Sequence, residues 1–315
     1  MVAADPRYRR PDDAVDAAAA VLPAPAPYHL GRTLSCGQVF GWRTDGSTAE
    51  GVFAGRWIGL EQRGEAITVA GLHDPPTLLC LRRFLGVDEP LSEIETRLSR
   101  DRVLRRLLPL TSGIAILRQD PWPCLISFVI SAFNNIPKIE RTLGRLTQRF
   151  GQAGPDGAML FPVAPALATA SARALRACIL GYRGPYVRGL ARLVARGEFD
   201  LTQPERASYA EARKMLLALP GVGEKVADCV LLYAYGKGEA FPVDVWVKRA
   251  VERWYFGGRA VGVRRIREFA HERFGELAGY AQQHLFLAAR SRLRRSPGVT
   301  VEGARRRTAR SPRWH

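Results

Sequence analysis

The sequence predicts an α+β protein, with a small antiparallel sheet near the N-terminus and a larger helical body after it. Residues 34–69 contain strand-like apolar runs, and the runs at 57–60 and 67–69 flank a turn at 63–65. From about residue 75 onward, apolar residues recur at helical spacing, as they do in residues 78–85. A chain of 315 residues is long enough for about two such domains.

We divide the chain into four segments. Residues 1–27 are rich in Ala, Pro and Asp and are predicted to form a disordered leader. Residues 28–115 form the N-terminal α+β domain, and residues 116–295 form the helical domain, whose last helices we expect to pack back on the N-terminal lobe. Residues 296–315 are rich in arginine and are predicted to form a basic, disordered tail.

The charge and the cysteines exclude several classes of protein. Lys and Arg number 47 against 30 Asp and Glu, and the resulting net charge of +17 favours a polyanionic partner. The longest apolar run, residues 124–133, is half the roughly 20 residues of a membrane-spanning helix. The five cysteines are far apart and form no Cys-x-x-Cys pair, so we expect no structural zinc, iron–sulfur cluster or disulfide framework. We expect no metal and no cofactor.

The most informative segment is a short turn between two apolar helices. Leu216–Leu219 runs into Pro220, Gly221, Val222 and Gly223, and a second apolar helix follows. This pattern is a helix-hairpin-helix, in which the glycines allow close backbone approach and the free amides of the second helix suit a phosphate. A nucleotide P-loop is excluded because Gly-x-x-x-x-Gly-Lys-Ser/Thr does not occur here.

Two charged residues close to the turn are candidates for catalysis. Lys225 lies in the first turn of the second helix, where the helix dipole disfavours a cation and so favours the neutral amine, which is a nucleophile. Asp244, 19 residues later, is predicted to cap the helix that follows it. A cap carboxylate at the mouth of a cleft can also accept a proton and stabilise a developing cation.

These residues resemble the helix-hairpin-helix DNA glycosylase superfamily, and within it the 8-oxoguanine DNA glycosylase/AP lyase branch. The resemblance covers residues 28–295 in matching order and implies a two-lobed helical body. Besides the hairpin and Pro242–Asp244, the matching segments are Ser35–Arg43, Arg118–Pro121, Asn134–Pro137, Leu180–Arg183 and Gly279–Gln282.

The resemblance implies a role for each residue of the active site. Lys225 corresponds to the nucleophile that attacks C1′, expels the base and forms a Schiff base, and Asp244 to the carboxylate that assists it. Gly37 corresponds to the residue whose carbonyl accepts the N7 hydrogen of 8-oxoguanine. Cys229 lies one helical turn after Lys225 and lines the pocket. In the same family, Gln282 reads the Watson–Crick edge of the flipped base and Phe286 stacks on its face.

A further set of residues is implied to contact DNA. Tyr182 resembles the wedge that fills the space left by the flipped base, and Arg183 resembles a reader of the orphaned cytosine. Lys138 replaces a second cytosine-reading arginine, and Phe133 replaces the first asparagine of the wedge, so we expect a weaker preference for cytosine. Trp246 stands where the family has a histidine. The remaining implied DNA contacts are Asn134, Asn135, Gly221, Val222, Gly223 and Lys248.

The resemblance therefore implies a monomeric, bifunctional base excision repair enzyme that acts on damaged double-stranded DNA. It implies no membrane association and no secretion, with a cytoplasmic, nucleoid-associated location in a bacterium or a nuclear one in a eukaryote. One alternative is an endonuclease III-like glycosylase for oxidised pyrimidines, although the four-cysteine cluster typical of that group has no counterpart after Cys229. Another is a helix-hairpin-helix DNA-binding module without catalytic activity.

Overall fold

A five-stranded antiparallel sheet forms one side of the N-terminal domain. The computed structural model describes residues 19–293 of the chain. In the order β1-β5-β4-β3-β2, neighbouring strands pair throughout in antiparallel register. The strands are β1 (Ala20–Pro23), β2 (Arg43–Asp45), β3 (Thr48–Phe53), β4 (Arg56–Arg63) and β5 (Ala66–Ala70).

Tight turns set the register of the sheet. Ala54 and Gly55, between β3 and β4, have φ values of 48° and 74°, the pattern of a type I′ hairpin turn. Gly64, with φ of 58°, makes the turn between β4 and β5, at the position that the sequence predicted. Ile58 and Leu60 of β4 and Ile67 of β5 then point to the buried side of the sheet.

Two boundaries of the sequence prediction are wrong. The predicted leader extended to residue 27, but Ala20–Pro23 is strand β1, which pairs along β5 from Ala20–Val69 to Pro23–Ala66. The strand is only four residues long and ends at a proline, so its composition does not indicate a strand. It forms because its backbone pairs with the edge of β5. The strand-like region was expected to begin at residue 34, whereas Leu30–Ser35 is helix α1. Residues 1–18 of the leader and the tail from 296 lie outside the described residues.

Helices make up the rest of the described chain. Capping side chains start many of them: Asp74, Asp101, Asp120, Asn135 and Ser208 each accept a hydrogen bond from a backbone amide of the first turn. The helices after α1 are α2 (Pro75–Leu85), α3 (Leu91–Leu98), α4 (Arg102–Thr111), α5 (Pro121–Ser131), α6 (Ile136–Phe150), α7 (Ala164–Ala168), α8 (Ala172–Ala177), α9 (Gly184–Ala195), α10 (Gln203–Arg206), α11 (Tyr209–Leu217), α12 (Glu224–Tyr233), α13 (Val245–Tyr255), α14 (Val263–Phe274) and α15 (Ala278–Leu293).

The last helix returns to the beginning of the chain. α15 packs between α13 of the helical body and α4 of the N-terminal domain. Thr111 Oγ1 and His284 Nδ1, both buried, lie 2.8 Å apart across the α4–α15 contact. The return of α15 brings residues from both ends of the described chain to the same cleft. None of the helices within residues 19–293 combines the length and apolar character needed to cross a membrane.

Candidate active site

The hairpin between α11 and α12 presents open backbone at the surface. Val222 is buried, and its amide donates to the carbonyl of Leu219 at 3.2 Å, which closes the turn. Gly221 has φ of 76°, and a β-carbon there would lie 2.6 Å from Cγ of Tyr186, so only glycine fits. Gly223 caps α12 without a side-chain hydrogen bond, is exposed, and has no heavy atom within 4 Å of its β-carbon position. The first amides of α12 are therefore accessible to an anion.

A buried ion-pair group behind the hairpin joins α11, α12 and α14. Tyr209 Oη and Arg213 Nε both donate to Asp228 Oδ1 at 3.0 Å. Arg267 Nη2 donates to Glu224 Oε1 at 2.5 Å and so holds the first residue of α12. Burial raises the pKa of Asp228, and the charge of Arg213 opposes that effect. Sequence reasoning missed this group, whose one visible signal was an aspartate inside an apolar helix.

Lys225, the second residue of α12, points toward α5. Its Nζ donates to Ser131 Oγ at 2.9 Å and lies 4.8 Å from the centroid of the Phe128 ring. Ser131 Oγ in turn donates to the carbonyl of Phe128 at 2.7 Å, which fixes its orientation. The amine is therefore held at the end of a short hydrogen-bond chain and against an aromatic face. Ser131 and Phe128 were not predicted, because both lie in a run that looked only apolar.

Two thiols lie close to Lys225. Cys229, one turn along α12, is buried, and burial raises the pKa of its thiol to about 12 although the charge of Lys225 opposes this. Burial likewise raises the pKa of the Cys124 thiol well above its usual value, and the neighbouring Cys229 adds to the increase. Both groups are accordingly neutral thiols at physiological pH, and a neutral thiol is not a nucleophile.

Asp244 caps α13, which confirms that part of the prediction. Its Oδ1 accepts a hydrogen bond from the amide of Val247 at 2.8 Å. Burial raises the pKa of Asp244, while the Val247 amide and the charge of Lys225 oppose the increase. The charge of Lys225 thus acts on the carboxylate of Asp244. Lys225 lies in the first turn of α12, and Asp244 lies at the start of α13, the next helix.

Gly37 and Phe286 lie against each other. Gly37 has φ of 84°, and a β-carbon added there would lie 3.3 Å from Cε1 of Phe286. The adjoining Gln38 is fully buried and fixes the loop, because its Nε2 donates to the carbonyl of Ala115 at 2.7 Å and its Oε1 accepts from the amide of Leu117 at 3.0 Å. The space between Gly37 and Phe286 is therefore narrow and rigid on the Gly37 side.

Gln282 is buried beside Tyr233, the last residue of α12. Its Oε1 accepts from Tyr233 Oη at 3.4 Å and from Gln283 Nε2 at 3.0 Å. The Tyr233 ring packs against Phe128, with the centroids 5.3 Å apart. Tyr233, which sequence reasoning missed, thereby connects the helix of Lys225 to the helix of Gln282.

Comparison with known proteins supports the same organisation. The model of the 8-oxoguanine DNA glycosylase N-terminal domain matches residues 21–125, and that of the HhH-GPD superfamily of base excision DNA repair proteins matches residues 126–275. The N-glycosylase/DNA lyase OGG1 of Arabidopsis thaliana is 30% identical over 277 residues, which are 81% of this chain and 76% of the plant protein. The chain belongs to the 8-oxoguanine DNA glycosylase family.

Two further members of the family resemble this glycosylase. A probable N-glycosylase/DNA lyase of Methanothermobacter thermautotrophicus is 36% identical over 63% of this chain and 72% of its own length. The Clostridium acetobutylicum 8-oxoguanine glycosylase/lyase, solved with double-stranded DNA containing cytosine opposite 8-oxoG, has a TM-score of 0.79. It shares 31% identity over 84% of this chain and 92% of its own.

The glycosylase exposes two aromatic side chains next to each other at the surface. Phe133, between α5 and α6, is 99% exposed and has φ of 49°, a conformation that is unusual for a bulky residue. Tyr182 is 57% exposed, and its hydroxyl donates to the carbonyl of Ala132 at 3.4 Å. The two side chains therefore lie on adjacent loops and are exposed.

Arg183 does not have the free fork that cytosine reading requires. It is buried, and its Nε donates to the carbonyl of Ala132 at 2.9 Å while its Nη2 donates to the carbonyl of Phe133 at 3.1 Å. The guanidinium carbon also lies 4.4 Å from the centroid of the Tyr182 ring. In this structure Arg183 therefore positions the two exposed aromatic residues, and it would have to release these carbonyls to reach a base.

Most of the other predicted DNA contacts of the glycosylase are bonded to other groups of the protein. Asn135 caps α6 by accepting from the amide of Lys138 at 3.0 Å, and Asn134 Nδ2 donates to the carbonyl of Ile130 at 3.1 Å. Lys138 itself is exposed. Lys248, another predicted DNA contact, forms an ion pair with Glu252 in this structure.

Trp246, on the first turn of α13, is half-buried and lies under the guanidinium of Arg249, which is 5.7 Å from the ring centroid. Arg249 is exposed, so the stacked pair keeps a cation at the start of α13. Within the described part of the chain, no group of three or more His, Cys, Asp or Glu side chains could hold a metal ion.

Proposed function

We propose that this protein is a bifunctional DNA glycosylase and AP lyase that flips 8-oxoguanine out of duplex DNA, excises it and then cleaves the strand. It acts as a monomer in base excision repair, in the compartment that contains the chromosome, and does not associate with a membrane. The observation that carries the proposal is the amine of Lys225, held at the open hairpin by Ser131, in the field of Asp244 and next to Cys229.

The chemistry follows from a nucleophilic amine beside a carboxylate. The neutral amine of Lys225 forms a bond to C1′ while the bond from C1′ to the base breaks, and the carboxylate of Asp244 stabilises the positive charge that develops on the sugar. The expelled base takes up a proton, and the sugar ring opens to a protonated Schiff base on Lys225. Loss of a proton from C2′ then expels the 3′ phosphate, and water releases the lysine.

Base recognition uses the place where Gly37 and Phe286 meet. In this proposal the Phe286 ring stacks on the flipped base, the carbonyl of Gly37 accepts the N7 hydrogen, and Gln282 reads the Watson–Crick edge. Because N7 of guanine carries no hydrogen, the Gly37 carbonyl would repel the undamaged base. Tyr182 and Phe133 fill the space that the flipped nucleotide leaves, and the hairpin glycines hold the phosphates.

Borohydride trapping tests the proposal. Purified protein is incubated with duplexes that carry 8-oxoguanine opposite each of the four bases and with a thymine-glycol duplex, and Lys225→Gln is the control. The expected result is a covalent adduct on 8-oxoguanine DNA that Lys225→Gln does not form, although this variant still binds lesion DNA. An adduct on thymine glycol alone would instead identify an oxidised-pyrimidine glycosylase, and no adduct on any duplex would contradict the lyase mechanism.

A further inference from the structure

A row of basic side chains follows one flank of α6, the helix that begins just after Phe133. Lys138, Arg141, Arg145 and Arg149 are all exposed and recur at intervals of three or four residues. This spacing places them on one side of the helix, next to the buried stripe that contains Ile139 and Leu146. We call these four residues the α6 basic row.

No carboxylate neutralises the α6 basic row among the described residues. Ion pairs hold many other arginines of this part of the chain, including Arg264, Arg265, Arg267 and Arg273 of α14, but none of those ion pairs includes a member of the row. Glu140, the acidic residue of α6, lies outside the row's flank by helical spacing and has Arg43 as its charged neighbour. Four unpaired positive charges on one helix repel each other, and a bound polyanion would reduce this repulsion.

The row is continuous with the exposed aromatic pair. Its first member, Lys138, lies in the first turn of α6, which Asn135 caps immediately after Phe133. Farther along, Arg145 Nη1 donates to the carbonyl of Ala177 at 3.2 Å, at the end of α8. α8, whose Arg173 and Arg176 are exposed, therefore ends beside α6 and leads into the turn that carries Tyr182. A basic surface therefore extends away from the place where the duplex would be opened.

We propose that the α6 basic row binds the phosphates of the duplex arm on one side of the lesion and so extends the DNA contact beyond the flipped nucleotide. This inference rests on the proposed function. Lys138 and Arg149 are 11 positions apart, which is about 16 Å along the helix at 1.5 Å per residue. That length matches about five base pairs at about 3.4 Å each. Because a contact to a phosphate carries no information about the base, this contact is independent of sequence.

The salt dependence of binding tests the inference. The variant is Arg141→Gln/Arg145→Gln/Arg149→Gln, and the DNA is a duplex with a tetrahydrofuran abasic analogue, which the enzyme cannot cleave. Each phosphate contact contributes about 0.9 to the slope of log affinity against log salt, so the variant should have a slope shallower by about 2.7. Between 50 and 200 mM salt, wild type should lose about 40-fold more affinity than the variant.

A matched control is Arg102→Gln/Arg105→Gln/Arg106→Gln on α4, which removes three exposed arginines that have no ion pair among the described residues. It should keep the wild-type slope. If the duplex is shortened to three base pairs on the side that the row contacts, wild type and the α6 variant should have the same slope. If it is shortened on the other side, the difference between the two slopes should remain. If wild type excises 8-oxoguanine but the α6 variant keeps its slope, the α6 inference alone is overturned. A wild type without excision or trapping overturns the proposed function.

Discussion

The amine of Lys225 donates a hydrogen bond to the hydroxyl of Ser131, which lies 94 positions earlier in the chain and 2.9 Å away in space. We expect Ser131→Ala to slow formation of the trapped adduct about fivefold, because one hydrogen bond contributes about 1 kcal/mol. Single-turnover trapping on 8-oxoguanine DNA measures this. Ser99→Ala, which removes an exposed hydroxyl bonded to the carbonyl of Thr96, is the control. An unchanged rate in Ser131→Ala would show that Ser131 does not position the amine.

Asp244 should set the acidic limit of activity. Burial raises its pKa above the usual 3.8, so the carboxylate is protonated at a higher pH than an exposed aspartate would be. If the ionised form is required, single-turnover excision falls as the pH drops through that raised pKa. Asp244→Asn should lower the rate at pH 7 and abolish this acidic limb. A variant that retains the wild-type limb would assign it to another group.

His284 should make stability depend on pH between about 4 and 6.5. Burial lowers its pKa from 6.5 to about 4, so the native state excludes a proton that the unfolded state binds. The free energy of unfolding therefore has its full value above pH 6.5 and decreases as the pH falls. At pH 4 the decrease amounts to about 3 kcal/mol. Urea unfolding at several pH values should show a shallower dependence for His284→Gln than for wild type. The exposed His271→Gln is the control, and equal slopes for His284→Gln and wild type would refute the assignment.

Phe133 should influence which base is tolerated opposite the lesion. A phenyl ring can stack but cannot hydrogen-bond cytosine, whereas asparagine can donate and accept and also adopts positive φ readily. Phe133→Asn should therefore increase the ratio of excision opposite cytosine to excision opposite adenine by a few-fold. Excision rates on the two duplexes measure the ratio. Phe133→Ala separates the loss of the ring from the gain of the amide, and an equal ratio in both variants would argue against the role of the amide.

Gly37 and Gly41 form a matched pair for the base pocket. Both have positive φ, 84° and 90°, so alanine at either position should cost about 1–2 kcal/mol of unfolding free energy. A β-carbon at Gly37 meets Phe286, whereas one at Gly41 has no heavy atom within 4 Å. Gly37→Ala should therefore impair excision much more than Gly41→Ala at equal stability. Comparable losses of excision would show that strain, rather than the pocket, is responsible.

Local patterns were sufficient to predict the parts of the site that depend on neighbours in sequence. The hairpin, the place of Lys225 in the first turn of α12 and the cap at Asp244 all follow from residues within one or two turns. The pocket residues came from family resemblance, because no periodicity indicates that Gly37 faces Phe286.

Contacts between distant segments could not be predicted. Ser131 and Tyr233 looked like ordinary helix residues. Arg183 was predicted to read the orphaned cytosine, and its hydrogen bonds to the carbonyls of Ala132 and Phe133 were not foreseen. Strand β1 was missed for the same reason, since its partner lies more than 40 residues later in β5. In each case the tertiary partner, rather than the side chain itself, determines the role.

The contact of Gly37 with Phe286 also determines when the pocket can exist during synthesis. Gly37 is synthesised early, whereas Phe286 belongs to α15, among the last residues of the described chain. A nascent chain that has completed the sheet and the hairpin still lacks Phe286, so the contact with Gly37 forms only after α15 has been synthesised. Because α15 also packs between α13 and α4, the helix that brings Phe286 to Gly37 is the same helix that joins the helical body to the N-terminal domain.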